Sequence, residues 1–318
     1  MSGSCQKFDG LDQVALSRLP LHLAIGMFDG VHLGHRAVID MAVQSARREG
    51  GIAAVLTFWP HPSALFRPEN PTRLIIDGET KVRLLALAGV DAVIMQHFTK
   101  ELASVAAEDF LPYLKRFLPS LKTVYVGENW RFGRGRRGDI HTLLAEAQKN
   151  GLVVMSLARI NENGQPISST RIRSCLETGA IDEANQLLGY TYFAEGTVQP
   201  GKHLGRKLGF PTLNLAWEPE LRPRLGVYAV QVSGEKAGGV FNAVANFGLR
   251  PTVEQSTQPR LEIHLLGDCP FGEGDEIKVN WLSFLRPEKK FAGVEQLKLQ
   301  IAADRSGAAA YFGARGEE

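Results

Sequence analysis

Short apolar runs recur along the first 188 residues, at 21–25, 53–57, 90–95, 123–126 and 153–157, each of a length that suits a strand. Between them the apolar positions repeat with a helical period, which predicts helices around 81–88, 107–117, 140–150, 170–177 and 182–188. The helix after the first strand shows the pattern: Arg36, Asp40, Gln44, Arg47 and Arg48 form a polar stripe, Val38, Met41 and Ala42 turn elsewhere, and Gly50-Gly51 ends it. Strands alternating with helices predict an α/β, doubly wound, Rossmann-like parallel sheet with ligands at the carboxyl ends of its strands. After about Gly189 the texture changes to β-rich runs at 227–232, 240–245, 261–266 and 276–281, broken by Gly and Pro. These predict a small closed β-barrel, and the helical stretch 294–303 is expected to close over it. The expected domains are therefore 1–188 and 189–318.

Composition narrows the functional classes. A hydrophobic fraction of 44% over 318 residues supplies a core for each half, while a formal charge of +2 leaves no global field for nucleic acid or an anionic membrane. Cys5, Cys175 and Cys269 are scattered without a C-x-x-C pair, so neither a disulfide framework nor a zinc site is expected. The opening MSGSCQKFDG has no apolar signal core, and no run approaches the ~20 apolar residues of a membrane span. The expectation is a cytoplasmic protein acting on small molecules, with its oligomeric state open.

Residues 26–35 read GMFDGVHLGH and follow the first strand directly. A strand that turns through glycine into a helix leaves backbone N–H groups aimed beyond the strand end, where the helix dipole favours an anion. His32 and His35 lie three apart, so both can face one phosphate, and Gly34 permits its close approach to the backbone. In isolation such a motif is more often two surface histidines capping an ordinary helix. ISSTRIR at 167–173 reads as a Ser/Thr cap opening a helix, with Arg171 and Arg173 in the first turns. Cations there oppose the dipole unless an external anion such as a triphosphate lies between them; two solvated arginines are the alternative. TFWPHP at 57–62 sets a proline-stiffened loop at a strand end, with His61 and Phe66 either a flat wall for an aromatic ring system or core residues. In VGENWRFGRGRRGD at 126–139, Arg131, Arg134, Arg136 and Arg137 fit a solvated basic loop, Asn129 lies closer to the strand end, and Asp139 fits a helix cap.

In this order, the four segments resemble the adenylyltransferase half of the bacterial bifunctional riboflavin kinase/FAD synthetase family. The resemblance implies a nucleotidyltransferase fold that transfers AMP from ATP to FMN. It matches the family's H-x-G-H to His32 and His35, and its S-S-T-x-x-R to Ser168, Ser169, Thr170 and Arg173. Gly26, Phe28, Asp29, Gly34 and Arg171 carry over as further nucleotide-binding positions, and Pro60, His61, Phe66 and Asn129 as the flavin side. It further implies in-line attack of an FMN phosphate oxygen on the α-phosphorus without a covalent enzyme intermediate, His32, His35 and Arg173 being the catalytic groups.

In the second half, residues 201–214 read GKHLGRKLGFPTLN, a basic glycine-spaced loop that can serve as a phosphate flap, with Gly201, Lys202, Gly205, Arg206 and Gly209 as its nucleotide-binding positions. If 212–215 is extended, Thr212 and Asn214 project from one face and offer two neutral oxygens, a set that suits Mg²⁺ when ATP and water complete its shell; a turn-stabilising Thr and Asn is the alternative. Residues 261–265, LEIHL, alternate, so Glu262 and His264 share the polar face of a strand. LGRKLGFPTLN, ANFGLRPTV, LEIHLL and FLRPEKKF are similar to successive motifs of riboflavin kinase. That resemblance makes Thr212 and Asn214 the Mg²⁺ residues and Glu262 the general base for the riboflavin 5′-hydroxyl, with Asn246 and Arg250 as lesser candidates. The expected substrates and products are ATP, riboflavin, FMN and FAD. Two other readings stand beside this one: a riboflavin kinase with a weakened adenylyltransferase half, which would accumulate FMN, and a noncatalytic flavin- or nucleotide-binding regulator touching RNA through RFGRGRRG.

Overall fold

The computed structural model describes residues 5–201, 209–249 and 259–315. The chain separates into two compact units, Met1–Ser169 and Thr170–Glu318.

The first unit is built on a six-stranded sheet of β1 (Gln6–Phe8), β2 (Leu21–Ile25), β3 (Ile52–Trp59), β4 (Ala92–His97), β5 (Leu121–Gly127) and β6 (Val153–Leu157), in the order β1-β4-β3-β2-β5-β6. Every neighbouring pair is parallel, and β7 (Asn161–Glu162) with β8 (Gln165–Pro166) forms a separate antiparallel pair. The central strands are buried and mostly apolar, β2 throughout and β3 in all but its last residue, with His22 and Thr57 as buried polar exceptions. Between them α1 (Leu33–Glu49) turns Val38, Ile39, Ala42, Val43 and Ala46 inward and stops at Gly50, whose φ of 63° is open to glycine without strain. The predicted helices are α3 (Gly78–Leu87), α5 (Phe110–Phe117), α6 (Ile140–Lys149), α7 (Ser169–Thr178) and α8 (Ile181–Leu188), the last two belonging to the second unit save for Ser169. Two short helices carry no periodic signature and were not expected, α2 (Pro62–Phe66) and α4 (Lys100–Ser104). Edge strand β1 was not expected either, because its polar QKF sequence joins the sheet through backbone pairing with β4 alone. From β2 the chain steps outward through β3 and β4, then crosses to β5 and β6, so the strand order reverses between β2 and β5. In an open α/β sheet the crevice at that reversal, outside the carboxyl ends, is where ligands bind.

The second unit holds a closed antiparallel barrel of β9 (Phe193–Gln199), β10 (Leu213–Leu215), β11 (Gly226–Gly234), β12 (Ala237–Gly248), β13 (Arg260–Leu265) and β14 (Glu276–Pro287), ordered β10-β13-β12-β11-β14-β9. Closure comes from β9, which pairs with both β10 and β14. An aromatic cluster fills the interior, with Trp281 4.5 Å from Tyr228 and 5.7 Å from Phe247 between ring centres. The closing helix α9 (Val294–Arg315) is longer than the expected 294–303, because Ala308, Tyr311 and Phe312 extend its contact with Val227, Ala229 and Val244. Arg286 fixes it further by two hydrogen bonds of 2.6 Å to the Asp304 carboxylate.

Closure leaves no space at Gly196 in β9, where an added Cβ would sit 2.2 Å from the carbonyl oxygen of Ala216. Gly196→Ala is expected to cost the barrel about 1–3 kcal/mol. Scanning calorimetry should show a midpoint several degrees lower, and an unchanged midpoint would mean that the strand accepts a side chain there.

Candidate active sites

The turn from β2 into α1 lies at the sheet's crevice, and its backbone is unusual. Phe28, Gly30 and Val31 have φ values of 47°, 81° and 38°, and for a β-branched valine such a value is a genuine outlier. Anchors from separate segments hold the turn. Thr57 Oγ1 and Lys81 Nζ each donate to the Met27 carbonyl at 3.0 Å. The buried Asp29 carboxylate accepts the Ile75 N–H at 3.0 Å, and the Asp29 carbonyl accepts the Ser169 hydroxyl at 2.9 Å. Asp29, expected to bind nucleotide, thus holds the turn from within.

His32 caps α1, its Nδ1 accepting the backbone N–H of His35 at 3.3 Å. That bond places the proton of the neutral ring on Nε2. The His32 and His35 rings stack with centres 3.5 Å apart, and the edge of Phe28 meets His35 at 5.3 Å. The two histidines therefore form one surface at the helix start, as their spacing predicts. Gly34 has a more immediate role than phosphate approach: a Cβ there would press on the His32 ring at 3.2 Å. Gly26 is similar, with the Phe28 ring 3.0 Å from its would-be Cβ.

Among the flavin candidates, His61 caps α2, its Nδ1 lying 3.1 Å from the Ser63 N–H and 2.7 Å from the Ser63 hydroxyl. Pro60 is half-buried beside it, while Phe66 is 63% exposed with its ring 6.0 Å from Phe98. Neither His61 nor Phe66 is a core residue. Asn129 is exposed just past β5, on the other side of β2 from these three. Trp130 stacks on Phe132 at 4.6 Å, and Arg131 pairs with Asp139 at 3.1 Å. Asp139 caps α6 by accepting the Thr142 N–H, which holds its carboxyl below the usual range. Arg134, Arg136 and Arg137 are exposed.

The ISSTRIR segment opens α7, with Ser168 before it and Ser169 as its first residue. Thr170, Arg171 and Arg173 belong to the second unit. There Arg171 donates through Nε and Nη2 to Glu183 on α8, at 3.0 and 2.6 Å, a pairing that the sequence did not suggest. Its charge is answered within the protein, whereas a phosphate ligand was expected.

In the barrel, strand register sets the second site. Asn214 on β10 pairs with Glu262 on β13, which pairs with Asn246 on β12. Their neighbours Leu213, Leu215, Leu261, Ile263, Ala245 and Phe247 are buried, so the three polar side chains share the opposite face. The Asn214 Oδ1 is buried without a hydrogen-bond partner among the described residues. Gly201 abuts that amide, a Cβ there falling 2.3 Å from Asn214 Nδ2. Thr212 is exposed immediately before β10. His264 is buried and not, as its alternation suggests, on an open polar face: its Nδ1 donates to the Pro211 carbonyl at 2.8 Å and so ties down the chain beside Thr212. A second carboxylate was missed. Glu288 occupies the space over Gly248, two residues along β12 from Asn246, and burial pushes its pKa up. Gly209 takes a left-handed φ of 87°, while Lys202, Gly205, Arg206 and Arg250 lie outside the described residues.

Comparison with known proteins matches each half separately. A family described as FAD synthetase matches residues 17–171, and one described as riboflavin kinase matches residues 188–312. Bifunctional riboflavin kinase/FMN adenylyltransferase of Escherichia coli strain K12 is 37% identical over 293 residues, covering 92% of this chain and 92% of its own. The Bacillus subtilis protein of the same description is 35% identical, covering 91% and 92%. That of Haemophilus influenzae is 36% identical, covering 91% and 94%. A crystal structure described as a macrolide-efflux protein from Streptococcus pneumoniae is 26% identical, with a TM-score of 0.84 over 96% of this chain and 99% of that one. Among the described residues no helix is long and apolar enough to cross a membrane.

The stack of His32 on His35 is the most sensitive feature of the first site. Gly34→Ala is expected to displace the His32 ring and shift the imidazole signals of both histidines in the proton NMR spectrum. Unchanged signals would show that a methyl fits beneath the stack.

Proposed function

The chain belongs to the bifunctional riboflavin kinase/FMN adenylyltransferase family, so it phosphorylates riboflavin to FMN and joins AMP to FMN to make FAD, and we propose that residues 1–188 perform the second reaction and residues 189–318 the first. The observation that supports this reading is that the FAD synthetase match spans residues 17–171 and the riboflavin kinase match residues 188–312.

For adenylyl transfer, the β2–α1 turn would receive the α-phosphate. An FMN phosphate oxygen attacks the α-phosphorus in line, the bond to the β-phosphate oxygen breaks, and pyrophosphate leaves. Proximity and charge stabilisation suffice, with no bond to the enzyme. His32 and His35, stacked at the start of α1, would offer N–H donors to the charge developing on the α-phosphate. Arg173 would hold the departing phosphates, together with Ser168, Ser169 and Thr170 at the opening of α7. Arg171, paired with Glu183, would serve to orient that helix. The isoalloxazine would lie on the side of Pro60, His61 and Phe66, leaving Asn129 nearer the nucleotide.

For the kinase reaction, Glu262 would accept the proton of the riboflavin 5′-hydroxyl as its oxygen attacks the γ-phosphorus of ATP and ADP departs. Thr212 and Asn214 would hold Mg²⁺, and the orphaned Asn214 Oδ1 fits a hard cation that prefers neutral and phosphate oxygens. Bound there, Mg²⁺ would neutralise phosphate charge. Gly201 and Gly209 border the segment that would cover those phosphates, where Lys202, Gly205 and Arg206 also lie. The scattered cysteines and the charge of +2 support a reducing, cytoplasmic setting and small molecules, not nucleic acid, as partners.

Purified protein given riboflavin, ATP and Mg²⁺ should yield FMN and then FAD; accumulation of FMN alone would overturn the adenylyl assignment. Glu262→Gln is expected to lower FMN formation by at least about 100-fold while FAD formation from supplied FMN survives. Unchanged kinase turnover would remove Glu262 from the chemistry. The pair His32→Ala with Arg173→Ala should do the reverse, slowing FAD formation by roughly 100- to 1,000-fold and sparing the kinase, and a wild-type rate would refute the assignment of the first site.

A further inference from the structure

Lys81 is completely buried, on a helix whose other inward positions are Thr80, Leu84 and Leu85. Nothing in the chemistry above uses it. An ammonium at such a position costs more than a methionine of similar volume would, unless its hydrogen bonds perform a task that packing cannot. Its Nζ donates to the Met27 carbonyl at 3.0 Å, and Thr57 Oγ1 from β3 donates to the same oxygen at 3.0 Å. Two donors saturate the two lone pairs of that oxygen and so fix the orientation of the Met27 peptide. This peptide leads directly into Phe28, Gly30 and Val31, the left-handed residues of the turn. Strained backbone of this kind persists only where its surroundings over-determine it.

We propose that Lys81 is a positioning residue for adenylyl transfer, fixing the Met27 carbonyl so that the left-handed turn presents His32 and the start of α1 to the α-phosphate. Asp29 is held from the other side by the Ile75 N–H and the Ser169 hydroxyl, so the turn is clamped at both ends. Releasing the Met27 end lets Phe28 and Val31 relax toward ordinary φ values and carries His32 with them. A displacement of about 1 Å is enough to cost a reaction that depends on alignment roughly 100-fold. The inference rests on the adenylyl assignment of this turn, which the His32 and Arg173 substitutions test separately.

The test uses the full chain, whose kinase reaction reports independently on intact protein. Lys81→Met should lower kcat for FAD formation from FMN and ATP roughly 10- to 100-fold, leaving both KM values and the kinase rate little changed. Thr57→Val, which loosens the same carbonyl, should lower that kcat several-fold, and the double variant should be no slower than Lys81→Met alone. A wild-type kcat in Lys81→Met, or penalties that simply multiply in the double variant, would overturn the proposal. Should Lys81→Met fail to fold, Thr57→Val decides alone: a selective fall in kcat supports the clamp, and a wild-type kcat overturns it.

Discussion

A chain leaving a parallel strand for a helix within seven residues has to change direction sharply, and here it does so through a turn in which Phe28, Gly30 and Val31 all have positive φ. Glycine pays nothing for that conformation, but phenylalanine and valine do, on the order of 1–3 kcal/mol each. What holds them is a buried set of polar contacts: Thr57 and Lys81 on the Met27 carbonyl, Ile75 on the Asp29 carboxylate and Ser169 on the Asp29 carbonyl. With the turn fixed, the start of α1 lies where the strand order reverses. The cap on His35 and the stack with its ring then fix His32. Remove the turn, and the histidines become ordinary residues of a surface helix.

The barrel meets its positioning problem through periodicity instead of strain. Because side chains alternate across a strand, the pairing that buries Leu213, Leu215, Leu261 and Ile263 forces Asn214 and Glu262 onto the other face, directly opposite each other. A slip of one residue would exchange the two sets, so the apolar interior and the chemistry are specified by the same register. His264 strengthens it, since its bond to the Pro211 carbonyl ties the segment before β10 to β13. One strand therefore supplies the candidate base and also anchors the neighbour that carries the metal candidates.

What could be read from the residues follows the same physics. Strands such as β2 and β6 stood at their observed bounds, because each is a short, mostly apolar run, although β2 is buried throughout and β6, at the sheet edge, is largely exposed. That Asn214 and Glu262 each lie on a polar strand face was legible because alternation is local, whereas their pairing across β10 and β13 was not. Strand β1 was not, since its place depends on backbone pairing with β4 and its side chains carry no signal. Neither was the pairing of Arg171 with Glu183, for a charge partner one helix away has no spacing rule. Lys81 did leave a trace: it recurs with Leu84 and Leu85 at the spacing of one helix face, and a lysine on an apolar face asks for a buried acceptor. Glu288 left none, because its place over Gly248 is set by how β14 ends and not by any repeat.

The S-S-T-x-x-R segment shows why packing and chemistry need not divide a chain at the same residue. By compactness the break falls between Ser169 and Thr170, inside α7, whereas the FAD synthetase match runs to 171 and the riboflavin kinase match begins at 188. Helices α7 and α8 are bonded into the second unit: Arg224 donates its N–H to the Leu176 carbonyl at 2.9 Å, and Asn185 Nδ2 donates to the Trp281 carbonyl, also at 2.9 Å. Ser169, at the head of the same helix, instead donates to the Asp29 carbonyl of the β2–α1 turn. Two arginines two residues apart near that head would repel each other and the helix dipole if both were unanswered. Glu183 answers Arg171, which lowers the cost of keeping the two arginines together at the head of the helix.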